Sequence, residues 1–119
     1  MSWQFNDREP VFIQIARKLR AEIVSGRYAP DSQMPTVRQL AIEASVNPNT
    51  VQKALTELEN EGLVEGRGTV GRFVTADPVV IGEARKRTVS ETLTVWLDEA
   101  RSLGITKDEL IELISKEEI

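Results

Sequence analysis

A chain of 119 residues, 40% of them hydrophobic and none of them Cys or His, can enclose one modest core, as a single domain or a small domain with an appendage. Without thiols or imidazoles it lacks disulfides, thiolate nucleophiles and the commonest general base and metal ligand, so enzymatic chemistry would fall to carboxylates alone. The formal charge of −4 is uneven: residues 1–75 carry nine Lys or Arg against nine Asp or Glu, whereas residues 76–119 carry six against ten. An acidic sum therefore does not exclude nucleic acid as a partner of the N-terminal part.

The opening residues, Trp3 to Asp7, offer neither the basic nor the apolar segment of a signal peptide, and no apolar run approaches the ~18–20 residues of a membrane span. A cytoplasmic protein is expected. Pro10 opens a periodic segment in which Phe12, Ile15, Ala16, Leu19 and Ile23 share a helical face, while Arg17, Lys18 and Arg20 lie outside it. Gly26 ends it as the left-handed residue after the last turn. The stretch from Arg27 to Gln33, polar and holding one Pro, is expected to be a loop.

From Met34 to Leu58 the sequence predicts two short helices joined by a tight turn. Thr36 can cap the first, with Gln39 reaching back to complete a capping box; Asn47 can cap the second, with Pro48 at its first position, where a missing N–H costs nothing. Val37, Leu40, Ala41 and Ala44 share one face, and Val51, Ala54, Leu55 and Leu58 another, so the two faces can pack together. The second helix then leaves Asn49, Thr50, Gln52, Lys53 and Thr56 outside, with no carboxylate before Glu57. Amides pair bidentately with adenine in the major groove, hydroxyls serve base edges or phosphates, and Lys serves guanine or phosphate. The same residues would also suit the wet face of any amphipathic helix, so the neighbouring sequence decides.

Gly62 stops this helix. Leu63-Val64-Glu65 and Arg72-Phe73-Val74-Thr75 follow as two short extended runs around Gly66-Arg67-Gly68-Thr69-Val70-Gly71, a β-hairpin with a basic, glycine-rich tip from which Arg67 and Arg72 are expected to reach phosphates or the minor groove. A basic hairpin directly after a helix-turn-helix favours nucleic-acid binding over the wet-face alternative. The carboxylates Glu57, Glu59 and Glu61 alternate around the helix rather than converge, and are expected to form a solvated surface rather than a metal site.

Asp77 and Pro78 suit the start of a further helix, roughly Val79 to Leu103, in which Val89, Leu93, Trp96, Ala100 and Leu103 form a heptad-like seam. Gly104 ends it. Thr106 and Glu109 make another capping box for a last helix, with Leu110, Ile111, Leu113 and Ile114 on its apolar side. Two amphipathic helices are too few to enclose a core, so their faces must cover the chain's own core or a second copy. A second copy is the expectation, because paired DNA readers match two-fold symmetric sites.

Several runs together carry a family resemblance: Gln14-Ile15, Ser25-Gly26, Met34-Pro35-Thr36-Val37-Arg38-Gln39-Leu40-Ala41, Val46-Asn47-Pro48-Asn49-Thr50-Val51, Glu57-Leu58-Glu59-Asn60-Glu61-Gly62-Leu63-Val64 and Gly71-Arg72-Phe73-Val74. In order and spacing, over about residues 10–75, this resembles the GntR family of bacterial transcriptional regulators, and the short two-helix tail resembles its YtrA subfamily. The resemblance implies an α+β, mainly helical fold: a winged helix-turn-helix DNA-binding domain over residues 1–76 and a two-helix dimerisation region over residues 77–119. It implies a regulator, usually a repressor, that binds double-stranded operator DNA as a homodimer on a pseudo-palindrome, with no cofactor, metal or catalytic residue.

By position, the resemblance makes Arg38 a phosphate- or base-contacting residue and assigns Asn47, Asn49, Thr50, Gln52 and Lys53 to the recognition helix, with Gly68, Gly71 and Arg72 in the wing. Val89, Leu93, Trp96, Ala100, Leu103, Leu110 and Ile114 fall to dimerisation. Asp31-Ser32 departs from the family's usual Gly-acid pair, and Thr36 from its commoner Ser. The wing, from Arg67 to Arg72, is one residue longer than the frequent Arg-Gly-x-Gly pattern. A winged helix can also serve as a protein-docking module, and no residue identifies a small-molecule effector.

Overall fold

The computed structural model describes residues 3–118. Helix α1 (Val11–Val24) starts where expected, the Pro10 carbonyl accepting the N–H groups of Ile13 and Gln14, and it ends at Gly26 with φ +86°. Its buried stripe, Ile15, Ala16, Leu19, Ile23 and Val24, is the predicted face extended by one residue, with Phe12 packed at its margin. Helix α2 (Val37–Ala44) carries the full Thr36/Gln39 capping box. Ser45 then turns the chain in the left-handed region (φ 57°), and the N–H of Val46 returns to the Ala41 carbonyl at 3.0 Å.

Helix α3 (Pro48–Asn60) begins with the Asn47 side chain accepting the Asn49 N–H. It ends in a Schellman closure, where Gly62 (φ 78°) donates to the Glu59 carbonyl and Leu63 to that of Leu58. Leu63 is fully buried, so this cap also delivers the chain into the core. Strands β1 (Val64–Gly66) and β2 (Arg72–Val74) form the expected antiparallel hairpin, with Val64 opposite Val74 and Gly66 opposite Arg72.

The stretch before α2 is more than the loop expected of it. Gln33 bridges Phe73, Met34 donates to the Arg72 carbonyl and Val74 to that of Ser32, so the segment runs as a third extended piece along β2. A pairing of so few residues leaves no alternation in the sequence to betray it.

Helix α4 (Pro78–Ser102) is capped by Asp77, whose carboxylate accepts the Val79 N–H, and α5 (Lys107–Ser115) by the predicted Thr106/Glu109 box. The chain divides into two compact units within α4, one running through Lys86 and the other starting at Arg87. The first has a continuous core drawn from α1, α2 and α3, from Leu63, Val64 and Val74 of the hairpin, and from Ile81 and Ala84 of α4. Arg85 fastens the first turns of α4 by donating to the Val24 carbonyl at the end of α1. In the second unit Ala100 and Leu110 are buried. No helix among the described residues is long and apolar enough to cross a membrane.

Leu58 is fully buried where α3 meets the hairpin base, so Leu58→Ala should cost about 2–5 kcal/mol of unfolding free energy. Thr36→Ala, which removes only a cap, should cost about 1 kcal/mol. Urea titration of both variants checks the ranking; equal losses would contradict it.

Candidate nucleic-acid interface

The inward face of α3 fixes the outward one. With Val51, Ala54, Leu55 and Leu58 buried, Asn49, Gln52, Lys53 and Thr56 are exposed and Thr50 is half-buried. These side chains are not equally free. Asn47 spends its oxygen on the cap, leaving only its amide N–H groups, and Thr56 donates back to the Gln52 carbonyl at 2.9 Å. Asn49 and Gln52 have exposed side chains with no hydrogen bond to the other described residues, so both amides keep a donor and an acceptor available. The Lys53 ammonium lies 5.8 Å from the centre of the Phe12 ring, a cation–π contact that steers its stem across α1.

Arg38 is exposed in the first turn of α2 and has no ion pair among the described residues. Its neighbours Thr36 and Gln39 are spent on each other, which holds that turn in register.

The wing arginines sit differently from the expectation that they project. Arg67 pairs with Asp31 and with Glu65 (2.9 Å), and its guanidinium stacks 4.2 Å from the Phe73 ring. Its pKa is pushed up, first by hydrogen bonding with Glu65 and then with Asp31. Arg72 donates from Nε to Glu59 of α3 at 2.8 Å and ties the hairpin to the recognition helix. Glu61 likewise holds Arg20 of α1. Glu59 and Glu61 are thus fastenings between elements, not the purely solvated surface their alternation suggested.

The wing glycines have distinct reasons. Gly68 takes φ +56° at the tip, whereas Gly71 takes φ +132°, and a Cβ there would lie 2.9 Å from Nε2 of Gln33, which itself donates to the Val70 carbonyl. The φ at Gly71 is what favours glycine there, and a Cβ would also displace the Gln33 amide.

The predicted seam of the second unit divides in two. Ala100 and Leu110 are buried, but Val89, Leu93 and Trp96 are 58%, 47% and 42% exposed, and Leu103 and Ile114 are exposed as well. Thr88, Val89, Thr92, Leu93 and Trp96 line an apolar hollow of about 340 Å³. Among the described residues no His, Cys, Asp or Glu cluster has metal-binding geometry.

Sequence reasoning overlooked the N-terminal segment. Trp3 and Phe5 pack against the core of the first unit, the Gln14 amide exchanges hydrogen bonds with the Asn6 backbone, and Glu9 pairs with Arg17 at 2.6 Å. Trp3 also stands under the Lys18 ammonium and donates to Glu43. The two aromatics were the available signal.

Two short helices at a tight turn, a third packed across them and a hairpin beyond the second define a winged helix-turn-helix, the architecture of DNA-binding transcriptional regulators. Residues 13–74 match the family model of the bacterial regulatory proteins, gntR family. The chain belongs to the GntR family, and is a DNA-binding transcriptional regulator. It is similar to the HTH-type transcriptional repressor YtrA of Bacillus subtilis, 32% identical over 90% of this chain and 83% of that one. A GntR family transcriptional regulator from Listeria monocytogenes has the same fold along 96% of this chain and 100% of its own, with 31% identity and a TM-score of 0.84. The DNA-binding domain of AraR, solved in complex with operator ORE1, matches 63% of this chain and 93% of its own, with 25% identity and a TM-score of 0.56.

The Glu59–Arg72 pair is less than one-third exposed on both sides. Glu59→Gln and Arg72→Gln should each lower stability by about 0.5–1 kcal/mol, and the double variant should lose no more than either alone. A double-mutant cycle in urea measures the coupling; simple additivity would show that the pair does not fasten the wing.

Proposed function

We propose that the protein is a repressor acting as a homodimer on a pseudo-palindromic operator, with residues 1–76 reading DNA and residues 77–119 joining the two chains. Each protomer lays the first turns of α3 in a major groove. Asn49 and Gln52 read base edges there, with Thr50 and the amide of Asn47 beside them, while Arg38 and Lys53 contact phosphates. The observation that carries this is the exposed start of α3, free of acid from Asn49 to Thr56 and bearing two unengaged amides. Gly68 and Gly71 shape a wing that follows the groove, with Arg67 and Arg72 at its base.

The operator complex of AraR supports this placement, and the repressor activity in YtrA's name supports repression. The exposed Val89, Leu93, Trp96, Leu103 and Ile114 support a second copy as the cover of the seam, with Ala100 and Leu110 buried beneath it. The reading requires no catalytic group, cofactor or effector, and the protein acts in the cytoplasm, where a bacterial chromosome lies.

Selection of bound sites from a random duplex pool, with the mass of the protein measured free and on the best site, tests the proposal. An enriched inverted repeat carrying two chains is expected. Absence of enrichment, with weak binding even at low salt, would sink it in favour of a protein-docking module.

On the selected site, Gln52→Ala should relax preference at one base position by about 1–3 kcal/mol. Arg38→Ala should weaken binding to all sequences alike and flatten the salt dependence. Identical behaviour of the two variants would refute the division of roles.

A further inference from the structure

We infer that Asp31 restrains the wing by competing with DNA phosphates for Arg67. The inference rests on the DNA-binding reading and adds to it a residue that sets how strongly the wing engages the duplex. Arg67 stands at the base of the tip turn, where its N–H donates to the Gly71 carbonyl and its own carbonyl accepts from Val70. The same Nη2 that serves Glu65 serves Asp31, and the face of the guanidinium is taken by Phe73.

Charges cancel or fall short around the hairpin. Arg72 is neutralised by Glu59, and Arg67 by two carboxylates rather than one. A phosphate approaching Arg67 therefore meets net negative charge while both carboxylates hold it, and has only Glu65 to displace once Asp31 is gone. Glu65 belongs to the hairpin and travels with it, two residues from Arg67. Asp31 reaches in from a different segment and is fixed there by its own backbone, its N–H shared between the Val74 and Thr75 carbonyls at 3.1 and 3.4 Å. Its φ of +64° is one that Asn and Gly accept, so the carboxylate can be removed without disturbing the turn.

The test uses the full chain and a duplex of arbitrary sequence, with affinity followed against NaCl concentration. Asp31→Asn should bind about threefold more tightly per protomer at low salt, and the log–log salt slope should steepen by about 0.9, the increment for one more neutralised phosphate. Asp31→Gly should do the same. Arg67→Ala alone should weaken binding, because it leaves Asp31 and Glu65 unpaired beside the duplex, and adding Asp31→Asn to Arg67→Ala should not steepen the salt slope.

An unchanged slope in both Asp31 variants would overturn the inference. So would a tightening that survives the loss of Arg67, since removing a negative charge near DNA would then be the whole effect. A parent protein that binds with a normal salt slope while the variants stay unchanged refutes the restraint alone; a parent with no salt-dependent binding refutes the DNA reading with it.

Discussion

Val51, Ala54, Leu55 and Leu58 are each at most 1% exposed, and at about 100° per residue their burial leaves α3 a single rotational setting. Turning the helix by one position would bring most of that stripe into water. At about 1.5–3 kcal/mol for each buried aliphatic side chain, the penalty approaches the ~5–15 kcal/mol that holds an entire domain together. No polar contact on the outer face competes with that. The direction in which Asn49 and Gln52 point is therefore set by the hydrophobic core, which frees those amides from any structural duty of their own.

The polar residues around this core divide between fastening and recognition. Thr36, Gln39 and Asn47 satisfy backbone groups at helix starts; Glu59 and Glu61 hold arginines of the wing and of α1. Such partly exposed pairs add little stability individually. Their consequence is geometric, because they keep the hairpin in register beside α3. What remains unengaged, chiefly Arg38, Asn49 and Gln52, is the short set to which the proposed reading assigns the duplex.

Helices and caps were legible from sequence because their signals are local: a 3.6-residue period, a Thr followed three residues later by Gln or Glu, a glycine past the last turn. The partners of Arg67, Arg72 and Arg20 were not. Asp31 lies 36 residues from Arg67 and Glu61 lies 41 from Arg20, and nothing in a single sequence links charges across such spans. The wing accordingly read as basic when its charge is internally compensated. Ser32 and Gln33 read as loop because so short a run has no alternation to display, and the anchoring of Trp3 and Phe5 was missed because residues 3–9 follow neither period.

The second unit poses the opposite problem, a pattern plain in sequence whose apolar face stays largely open within the described chain. Ala100 and Leu110 are its buried apolar side chains, while Val89, Leu93, Val95, Trp96, Leu103, Ile111, Leu113 and Ile114 remain exposed. Exposed apolar side chains in this number favour a partner over open solvent. In the proposed dimer a two-fold copy of the same seam would cover it without any new chemistry, since an isologous interface needs only a surface complementary to itself. The six basic against ten acidic residues of positions 76–119 add a second constraint. A segment of that composition is repelled by the phosphate backbone, so in the proposed dimer the apolar seam is left to protein and the duplex to α3.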